Sequence, residues 1–447
     1  MKKQMPGVSS MAEIKTFCPK TGLVLEGGAM RGMFTSGITD VFMEEGIKFD
    51  AAVGVSAGAT FGCNIKSCQP GRAIRYNKRF SHDKRYCSFS SLIKTGDLYG
   101  AKFCYYDLPQ KEDPFDYKAY RENPMKFYCV ATDVQTGKAV YHNLKTCDGS
   151  EIEWMRASAS MPMASRVVEI DGRGYLDGGI SDSIPLEFMQ KKGYEKNVVI
   201  LTQPRGFVKK DSRLFPLMKL FMKKYPAVLE ALKNRALVYN QETQYAFFQE
   251  KLGSVLVLCP ERPLGISRTE HDANELERVY EEGRNLAKKK LEQVRNFLKP
   301  YFFYGSASAD CAPASEAFSA IKNPRLLYDA LCKLWCRKTC APRLQSEWSQ
   351  ENRTKGQCSI TAFLAQDIFG GKVYGIPLGD GNFHCYNDVD GCIFDLTSEQ
   401  FGEKAASFVY SNNPEQSREV HFAKEEKKVR YEYLKNGLVN LLQQSQA

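Results

Sequence analysis

The 447-residue sequence contains no long hydrophobic run. Although 43% of its residues are hydrophobic, none of their clusters approaches the roughly 20 apolar residues that a membrane-spanning helix needs. The first fifteen residues, MKKQMPGVSSMAEIK, lack the apolar core of a secretory signal. These absences predict that the chain neither spans a membrane nor is exported. They favour a cytoplasmic location, with peripheral attachment at the inner face of the membrane as an alternative.

The cysteines also lack a pattern. There are 15 of them, and none forms the C-x-x-C pair that metal sites prefer. In a chain without an export signal we expect them to stay reduced. Cys332, Cys336 and Cys340 recur every fourth residue, which predicts one face of a helix carrying small buried side chains rather than metal ligands. The sequence therefore predicts no metal site and no cofactor.

Histidine is scarce as well. The five histidines are at positions 82, 142, 271, 384 and 421. A serine hydrolase without a suitably placed histidine needs another general base, and a carboxylate acting directly on the serine hydroxyl is one solution.

The most informative motif that is present is Gly54-Val55-Ser56-Ala57-Gly58. Residues 49–53 form a short apolar run that predicts a buried strand, and residues 57–65 begin a predicted helix. A tight strand-to-helix turn leaves no room for large side chains, which accounts for Gly54 and Gly58. It also exposes the Ser56 hydroxyl at a helix N-terminus, as in a nucleophile elbow.

A glycine-rich turn lies further upstream, between a predicted strand at 22–26 and a predicted helix that ends near Glu45. It consists of Gly27, Gly28, Ala29, Met30, Arg31 and Gly32. Such a turn can hold an anion with its backbone N–H groups. A dinucleotide-binding loop, with Asp50 as the ribose ligand, is the alternative, but that interpretation leaves the Ser56 elbow unexplained.

Asp177-Gly178-Gly179 is the third motif. By itself an Asp followed by two glycines predicts a turn. In a chain with a serine elbow and few histidines, Asp177 is also a candidate base.

Together these motifs resemble the patatin-like phospholipase family over about residues 20–200. The resemblance includes Ala131-Thr132-Asp133 and the segment 157–162 (ASASMP). It implies a three-layer α/β/α domain with a mostly parallel sheet, and a serine acyl hydrolase of lipids or phospholipids. It also implies that Ser56 is the nucleophile, Asp177 the base and residues 27–32 the oxyanion hole. Ala29 departs from the family pattern, which usually has glycine, and suits a backbone cradle if its φ is negative.

The formal net charge of +10 is uneven along the chain. Residues 305–447 carry 16 Lys and Arg against 17 Asp and Glu, so the basic excess lies in residues 1–304. This predicts contact of the N-terminal part with an anionic membrane. Segment 205–224 alternates apolar residues with lysines, which favours a helix whose apolar side packs on the sheet over a membrane-surface helix. No nucleic-acid-binding motif accompanies the charge.

Residues 305–318 are small and polar, which is typical of a linker. We therefore predict a catalytic domain at 20–204, a mainly helical extension at 205–304 and an α+β domain at 318–440. In the last domain, Cys358 precedes a helical run, where a thiolate is favoured. His384 and Asp395 lie on two predicted strands around Asp390-Gly391. A hairpin loop of two or four residues would bring them within reach of each other, and a three-residue loop would separate them.

This C-terminal segment resembles the YunG-like family over about residues 320–405, through Trp348, Gly356-Gln357-Cys358, His384 and Asp395-Leu396-Thr397 among others. The resemblance implies a papain-like α+β domain. Three functions therefore compete: a serine acyl hydrolase of lipids, a thiol peptidase or amide transferase in the C-terminal domain, and a non-catalytic lipid- or partner-binding protein.

Overall fold

The structure, a computed structural model, describes residues 16–379 and 381–443. These residues form two compact units. The N-terminal unit comprises Lys20–Glu250 and Val255–Leu298. The C-terminal unit comprises Lys251–Ser254 and the described residues before Lys20 and from Lys299 onward. The division at 20–204, 205–304 and 318–440 stays a prediction. Among the described helices, none combines the length and the apolarity needed to cross a membrane.

One mixed sheet of eight strands forms the centre of the N-terminal unit. Its strands are β1 (Thr21–Leu25), β2 (Ala51–Val55), β3 (Lys126–Asp133), β4 (Ala139–Asn143), β5 (Val168–Ile170), β6 (Arg173–Asp177), β7 (Lys196–Ile200) and β8 (Val255–Leu258). Their order is β5-β6-β3-β2-β1-β7-β8, with β4 also paired to β3. Five neighbouring strands of the sheet, β3, β2, β1, β7 and β8, run parallel to one another. The antiparallel pairs are β4 with β3, β6 with β3, and β5 with β6.

Helices cover both faces of this sheet. They are α1 (Gly32–Glu44), α2 (Ala57–Thr60), α3 (Cys63–Lys66), α4 (Arg72–Phe80), α5 (Phe89–Thr95), α6 (Tyr117–Glu122), α7 (Glu151–Ser158), α8 (Leu186–Lys191), α9 (Phe215–Phe221), α10 (Pro226–Leu252) and α11 (Ala273–Phe297). Strand side chains alternate between two cores. Leu23 and Leu25 pack in the core that contains residues of α1 and α11, and Val24 packs in the core that contains residues of α8 and α10. The predicted α/β/α fold is confirmed.

Segment 205–224 agrees with the prediction only in part. Its helix, α9, spans only seven residues, and Met218 and Met222 are buried in a cluster with Leu176 of β6, whereas other apolar side chains of the segment are exposed. Leu214, Leu217, Leu220 and Phe221 are 54%, 42%, 61% and 63% exposed. Met218 is the buried side chain of α9. The helix has more apolar residues than positions that face the core. The helix therefore leaves an apolar surface in contact with solvent.

The C-terminal unit contains a small antiparallel sheet, in the order β11-β10-β9, together with helices. Its elements are α12 (Pro324–Leu334), α13 (Cys358–Phe369), β9 (Lys372–Pro377), β10 (Phe383–Val389), β11 (Cys392–Phe394), α14 (Arg418–Phe422) and α15 (Glu425–Gln443). Val389 pairs with Cys392, so the predicted hairpin has the two-residue loop Asp390-Gly391. Both loop residues have positive φ, at 51° and 85°, as a tight hairpin turn requires.

Two local expectations for this unit need correction. Helix α12 ends at Leu334, so Cys336 and Cys340 lie beyond it and do not share a helical face with Cys332. Segment 305–318 belongs to the packed unit, and both Ser306 and Ala309 are completely buried. Composition alone suggested a linker here, because small residues are common both in linkers and where chains pack closely.

Candidate active site

Ser56 lies on a strained turn between β2 and α2. Its φ and ψ are 54° and −119°, a conformation that costs a non-glycine residue about 1–3 kcal/mol. The flanking glycines are required by space. A Cβ on Gly54 would lie 2.3 Å from the Gly58 carbonyl oxygen, and one on Gly58 would lie 2.2 Å from the Leu25 carbonyl oxygen. The turn thus has the geometry expected of a nucleophile elbow.

A second serine supports this turn. The buried Ser158 hydroxyl accepts the backbone N–H of Ser56 at 3.0 Å. Ser158 ends α7, within the segment 157–162 that carries part of the family resemblance. Sequence reasoning assigned this serine no role, since only tertiary structure joins positions 102 residues apart. The bond stabilises an elbow whose own backbone conformation is unfavourable.

Asp177 ends β6, and the sheet order places it two strands away from the end of β2. Its side chain is buried, and Oδ1 accepts the Gly179 N–H at 2.8 Å. Burial raises the pKa of the Asp177 carboxyl above its usual range, although the Ser56 hydroxyl and the Arg235 cation oppose that rise. A raised pKa makes the carboxylate a stronger base towards a neighbouring hydroxyl.

The turn at 27–32 continues from β1 into a short 3₁₀ segment at Ala29–Arg31 and then into α1. The Arg31 N–H donates to the Gly28 carbonyl at 3.2 Å, so this amide is already occupied. The amides of Gly28, Ala29 and Met30 remain as candidate oxyanion donors. Gly27 lies against the elbow, because a Cβ there would be 2.9 Å from the Ser56 Cβ. The condition under which Ala29 suits a backbone cradle, a negative φ, is not met. The φ of Ala29 is 51°, where glycine is the favoured residue.

Two cavities of the N-terminal unit have Ser56 in their walls. The first has a volume of about 280 Å³ and a mainly apolar, aromatic wall that includes Phe61, Tyr76, Tyr105 and Met155. Ala29 and Met30 also line it. This shape and chemistry fit a hydrocarbon chain.

The second cavity has a volume of about 680 Å³ and is basic. Ser56, Asp177 and Gly27–Ala29 line it, so the structure brings together the residues that the sequence analysis singled out. The cationic side chains in its wall are Arg31, Lys209, Lys210, Arg213, Lys233, Arg235 and Arg268. Among the residues described, neither cavity has a histidine in its wall.

The cations closest to the reacting groups are mutually coupled. Burial, with the nearby Arg235 cation, lowers the pKa of Lys209 to about 7. Burial also lowers the pKa of Arg235, against the attraction of Asp177. The Lys209 ammonium lies 3.7 Å from the centre of the Tyr239 ring. Glu26, Asp177 and Glu242 oppose these shifts. The seven cationic side chains still outnumber the acidic residues of the wall, Glu26, Asp177 and Asp211, so the cavity favours an anion.

Cys358, His384 and Asp395 lie in the C-terminal unit. His384 Nε2 and Asp395 Oδ2 are 2.6 Å apart, and both side chains are buried. The hairpin register places the two residues diagonally on one face, as a two-residue loop predicts. Cys358 is the first residue of α13 and is half-buried. Within the described ranges, the structure has no group of three or more His, Cys, Asp or Glu side chains that could hold a metal ion.

Comparison with protein-family models gives three matches. Residues 23–189 match the patatin-like phospholipase family, residues 225–299 match a domain of unknown function, DUF6363, and residues 323–443 match the YunG protein family. The chain is therefore similar to patatin-like phospholipases over residues 23–189 and to the YunG protein family over residues 323–443.

Similar curated proteins divide in the same way. The chain is 31% identical to the uncharacterized protein YjjU of Escherichia coli over 209 residues, which is 43% of this chain and 54% of YjjU. It is 40% identical to the uncharacterized protein YunG of Bacillus subtilis over 77 residues, 17% of this chain and 63% of YunG. Over 178 residues it is 27% identical to lysophospholipase NTE1 of Meyerozyma guilliermondii, 38% of this chain and 12% of that enzyme. The chain thus spans about half to two thirds of the first two relatives.

Proposed function

We propose that the patatin-like domain is a serine acyl hydrolase that cleaves fatty-acyl esters of lipids with anionic headgroups. The observation that carries the proposal is the position of Ser56, which lies in the walls of both an apolar and a basic cavity. An ester bound with its acyl chain in one cavity and its headgroup in the other would place its carbonyl carbon at the serine.

In the proposed reaction the Ser56 hydroxyl attacks the ester carbonyl while Asp177 accepts its proton. The amides of the 27–32 turn stabilise the negative oxygen of the tetrahedral intermediate, a contribution of about 3–4 kcal/mol for each good donor. Collapse releases the alcohol, which takes the proton from Asp177. Water then attacks the acyl-enzyme by the reverse proton path and releases the fatty acid.

Asp177 suits the role of base because no histidine of the described chain lines either cavity. Its carboxylate is buried beside the serine, and burial raises its pKa. The patatin-like domain and the similarity to a lysophospholipase support an ester hydrolase. The Ser56–Asp177 dyad is our inference from the geometry.

The basic cavity supports an anionic headgroup. Arg31, Lys209, Arg235 and Arg268 all line it, together with Ser56. Lys209 and Arg235 are sufficiently desolvated for burial to lower their pKa values, so an anion that neutralises them would bind favourably. A phosphodiester is the anion that bidentate guanidinium groups recognise best in a lipid.

The exposed apolar surface of α9 adds a membrane contact. Leu214 and Phe215 line the basic cavity, and Leu217, Leu220 and Phe221 continue outward from them into solvent. Lys219 and Lys223 lie in the same short segment and would face anionic lipids. We infer that this segment rests on the bilayer from which the substrate enters.

The dyad is tested by hydrolysis of a medium-chain p-nitrophenyl ester and of a phospholipid. Ser56→Ala and Asp177→Asn should each lower kcat/KM for both substrates by at least about 10³-fold, as losses of reacting groups usually do. Ser165→Ala and Asp211→Asn are matched controls, because they alter a serine and an aspartate of the same cavity walls. Hydrolysis that persists in Ser56→Ala would refute the proposal.

The membrane contact is tested by co-sedimentation with vesicles that contain phosphatidylglycerol. The double variant Leu217→Ser/Leu220→Ser should bind roughly 10- to 100-fold more weakly, because two leucines would no longer be buried in lipid. Leu237→Ser is the control, since this leucine of α10 is 60% exposed. Equal binding by the double variant and the control would refute the contact.

A further inference from the structure

The YunG domain contains a second set of reactive side chains that the lipid hydrolase does not use. His384 on β10 is completely buried, and its Nε2 lies 2.6 Å from Asp395 Oδ2. The Tyr410 hydroxyl donates to Oδ2 of the same carboxylate at 2.8 Å, and the Thr397 N–H donates to Oδ1 at 3.0 Å. Asp395 is therefore held in one orientation, and its Oδ2 in turn orients the imidazole.

The other ring nitrogen of His384, Nδ1, is buried and has no hydrogen-bond partner among the described residues. Helix α13, which Cys358 begins, packs against β10, which carries His384, and the two side chains interact electrostatically. Cys358 is the first residue of the 12-residue helix α13, where the helix dipole favours a thiolate. A cysteine at a helix N-terminus, an imidazole with an unpartnered nitrogen and a carboxylate that orients this imidazole are the groups that thiol-dependent acyl transfer uses.

The electrostatics agree with this geometry. Hydrogen bonding from the Cys385 thiol, followed by that of His384 and its charge, lowers the pKa of Cys358 well below its usual value despite burial. Burial opposes protonation of His384, but Asp395 and Cys358 together raise its pKa to about 10. Both shifts favour a thiolate beside an imidazolium.

The remaining titratable groups around the sulfur do not neutralise it. Burial lowers the pKa of His421 on α14 to about 4, so this imidazole is uncharged at neutral pH. Lys427 on α15 is also close, and burial lowers its pKa as well. A residual charge on Lys427 would favour the thiolate further. Cys358 as a whole residue is half-buried.

We propose that Cys358, His384 and Asp395 form a second catalytic centre, which cleaves carboxamide bonds of acylated amines independently of Ser56. Cys358 and His384 would act on the substrate directly. Asp395 would be a positioning residue that acts through the imidazole.

The reaction balances without any cofactor. The Cys358 thiolate attacks the amide carbonyl to form a C–S bond, and the His384 imidazolium donates its proton to the nitrogen as the C–N bond breaks. Water then attacks the thioester while neutral His384 accepts a proton. The C–S bond breaks, leaving a carboxylic acid and the original thiolate–imidazolium pair.

The stored proton is the reason for choosing an amide. An amine leaves readily only when its nitrogen is protonated as the bond breaks. The raised pKa of His384 favours the protonated ring that supplies this proton. A thiolate needs no general base in order to act as a nucleophile.

Reactivity of the cysteine is the first test. The full-length protein with Ser56→Ala is treated with substoichiometric iodoacetamide at pH 6, and labelling of all 15 cysteines is measured by peptide mass mapping. Cys358 should react at least about tenfold faster than the exposed Cys18 and Cys68, because a thiolate is the reactive form of cysteine. Equal rates would overturn the proposal.

Amide cleavage is the second test, using acetyl and aminoacyl p-nitroanilides with the same Ser56→Ala protein. Cys358→Ala should abolish p-nitroaniline release, and Cys68→Ala should not. His384→Gln and Asp395→Asn should lower kcat and shift the pH profile, with unchanged circular dichroism and Tm as evidence of folding. If Cys358 is labelled fast but the protein releases no more p-nitroaniline than the Cys358→Ala variant does, the amide assignment is refuted.

Discussion

Replacing Lys209 by methionine should weaken binding of anionic substrates in a way that depends on pH. Lys209 lines the basic cavity, and burial together with Arg235 lowers its pKa to about 7. The free enzyme therefore carries this charge below pH 7 and loses it above. A charged hydrogen bond to a phosphodiester contributes about 1.5–3 kcal/mol, or roughly 10- to 150-fold in affinity.

The assay compares dihexanoyl phosphatidylglycerol with dihexanoylglycerol, both as monomers in solution. The phosphodiester keeps one negative charge throughout the tested range, so any pH effect on its binding belongs to the protein. At pH 6, the KM for phosphatidylglycerol should be roughly 10- to 150-fold higher in Lys209→Met than in the unmodified protein. At pH 8.5 the difference should fall to about fivefold or less, because only a few per cent of Lys209 is protonated. The KM for the neutral diacylglycerol should change little at either pH.

Lys138→Met is a suitable control, since Lys138 is exposed and lies outside both cavity walls. Two results would refute the reasoning. A KM ratio that is the same at pH 6 and pH 8.5 would show that Lys209 does not titrate in this range. A parallel rise for the neutral lipid would show that the substitution disturbs the site rather than removing a charge.

Two further predictions concern the elbow. Ser158→Ala should lower the free energy of unfolding by about 1–3 kcal/mol, as urea denaturation would measure, and reduce kcat, because the buried Ser56 N–H loses its acceptor; a fully active variant of unchanged stability would contradict this role. Gly58→Ala should abolish ester hydrolysis, since its Cβ would lie 2.2 Å from the Leu25 carbonyl oxygen. Gly46→Ala is the control: Gly46 has a positive φ but no atom within 4 Å of a Cβ, so this variant should keep full activity and lose roughly 1 kcal/mol of stability.

Local sequence patterns predicted much of the fold. The apolar runs before Ser56 and before Gly27 are strands β2 and β1, and the glycines at 54 and 58 are required by close backbone contacts. The Asp390-Gly391 loop was predictable because only a few residue types adopt positive φ in tight hairpins. All of these features depend on neighbours within a few residues.

Patterns that depend on distant surroundings were less predictable. The apolar residues of α9 suggested packing on the sheet, but the structure leaves four of the segment's apolar side chains exposed. A helix of seven residues buries one narrow stripe, and hydrophobicity alone does not tell which residues it contains. Likewise, Ala29 adopts a φ of 51° because the turn around it dictates its conformation.

For the site, the sequence determined the reactive groups and the tight turns that hold them: a serine between glycines, an aspartate before glycines, and a cysteine at the start of a helix. Only the tertiary structure decided their surroundings. The Ser158 hydroxyl on the Ser56 amide, the basic cavity with Lys209 and Arg235, and the 2.6 Å contact of His384 with Asp395 all join distant or facing elements. Turn chemistry acts between neighbours along the chain, whereas burial, charge coupling and cavity shape arise only when separate elements pack together.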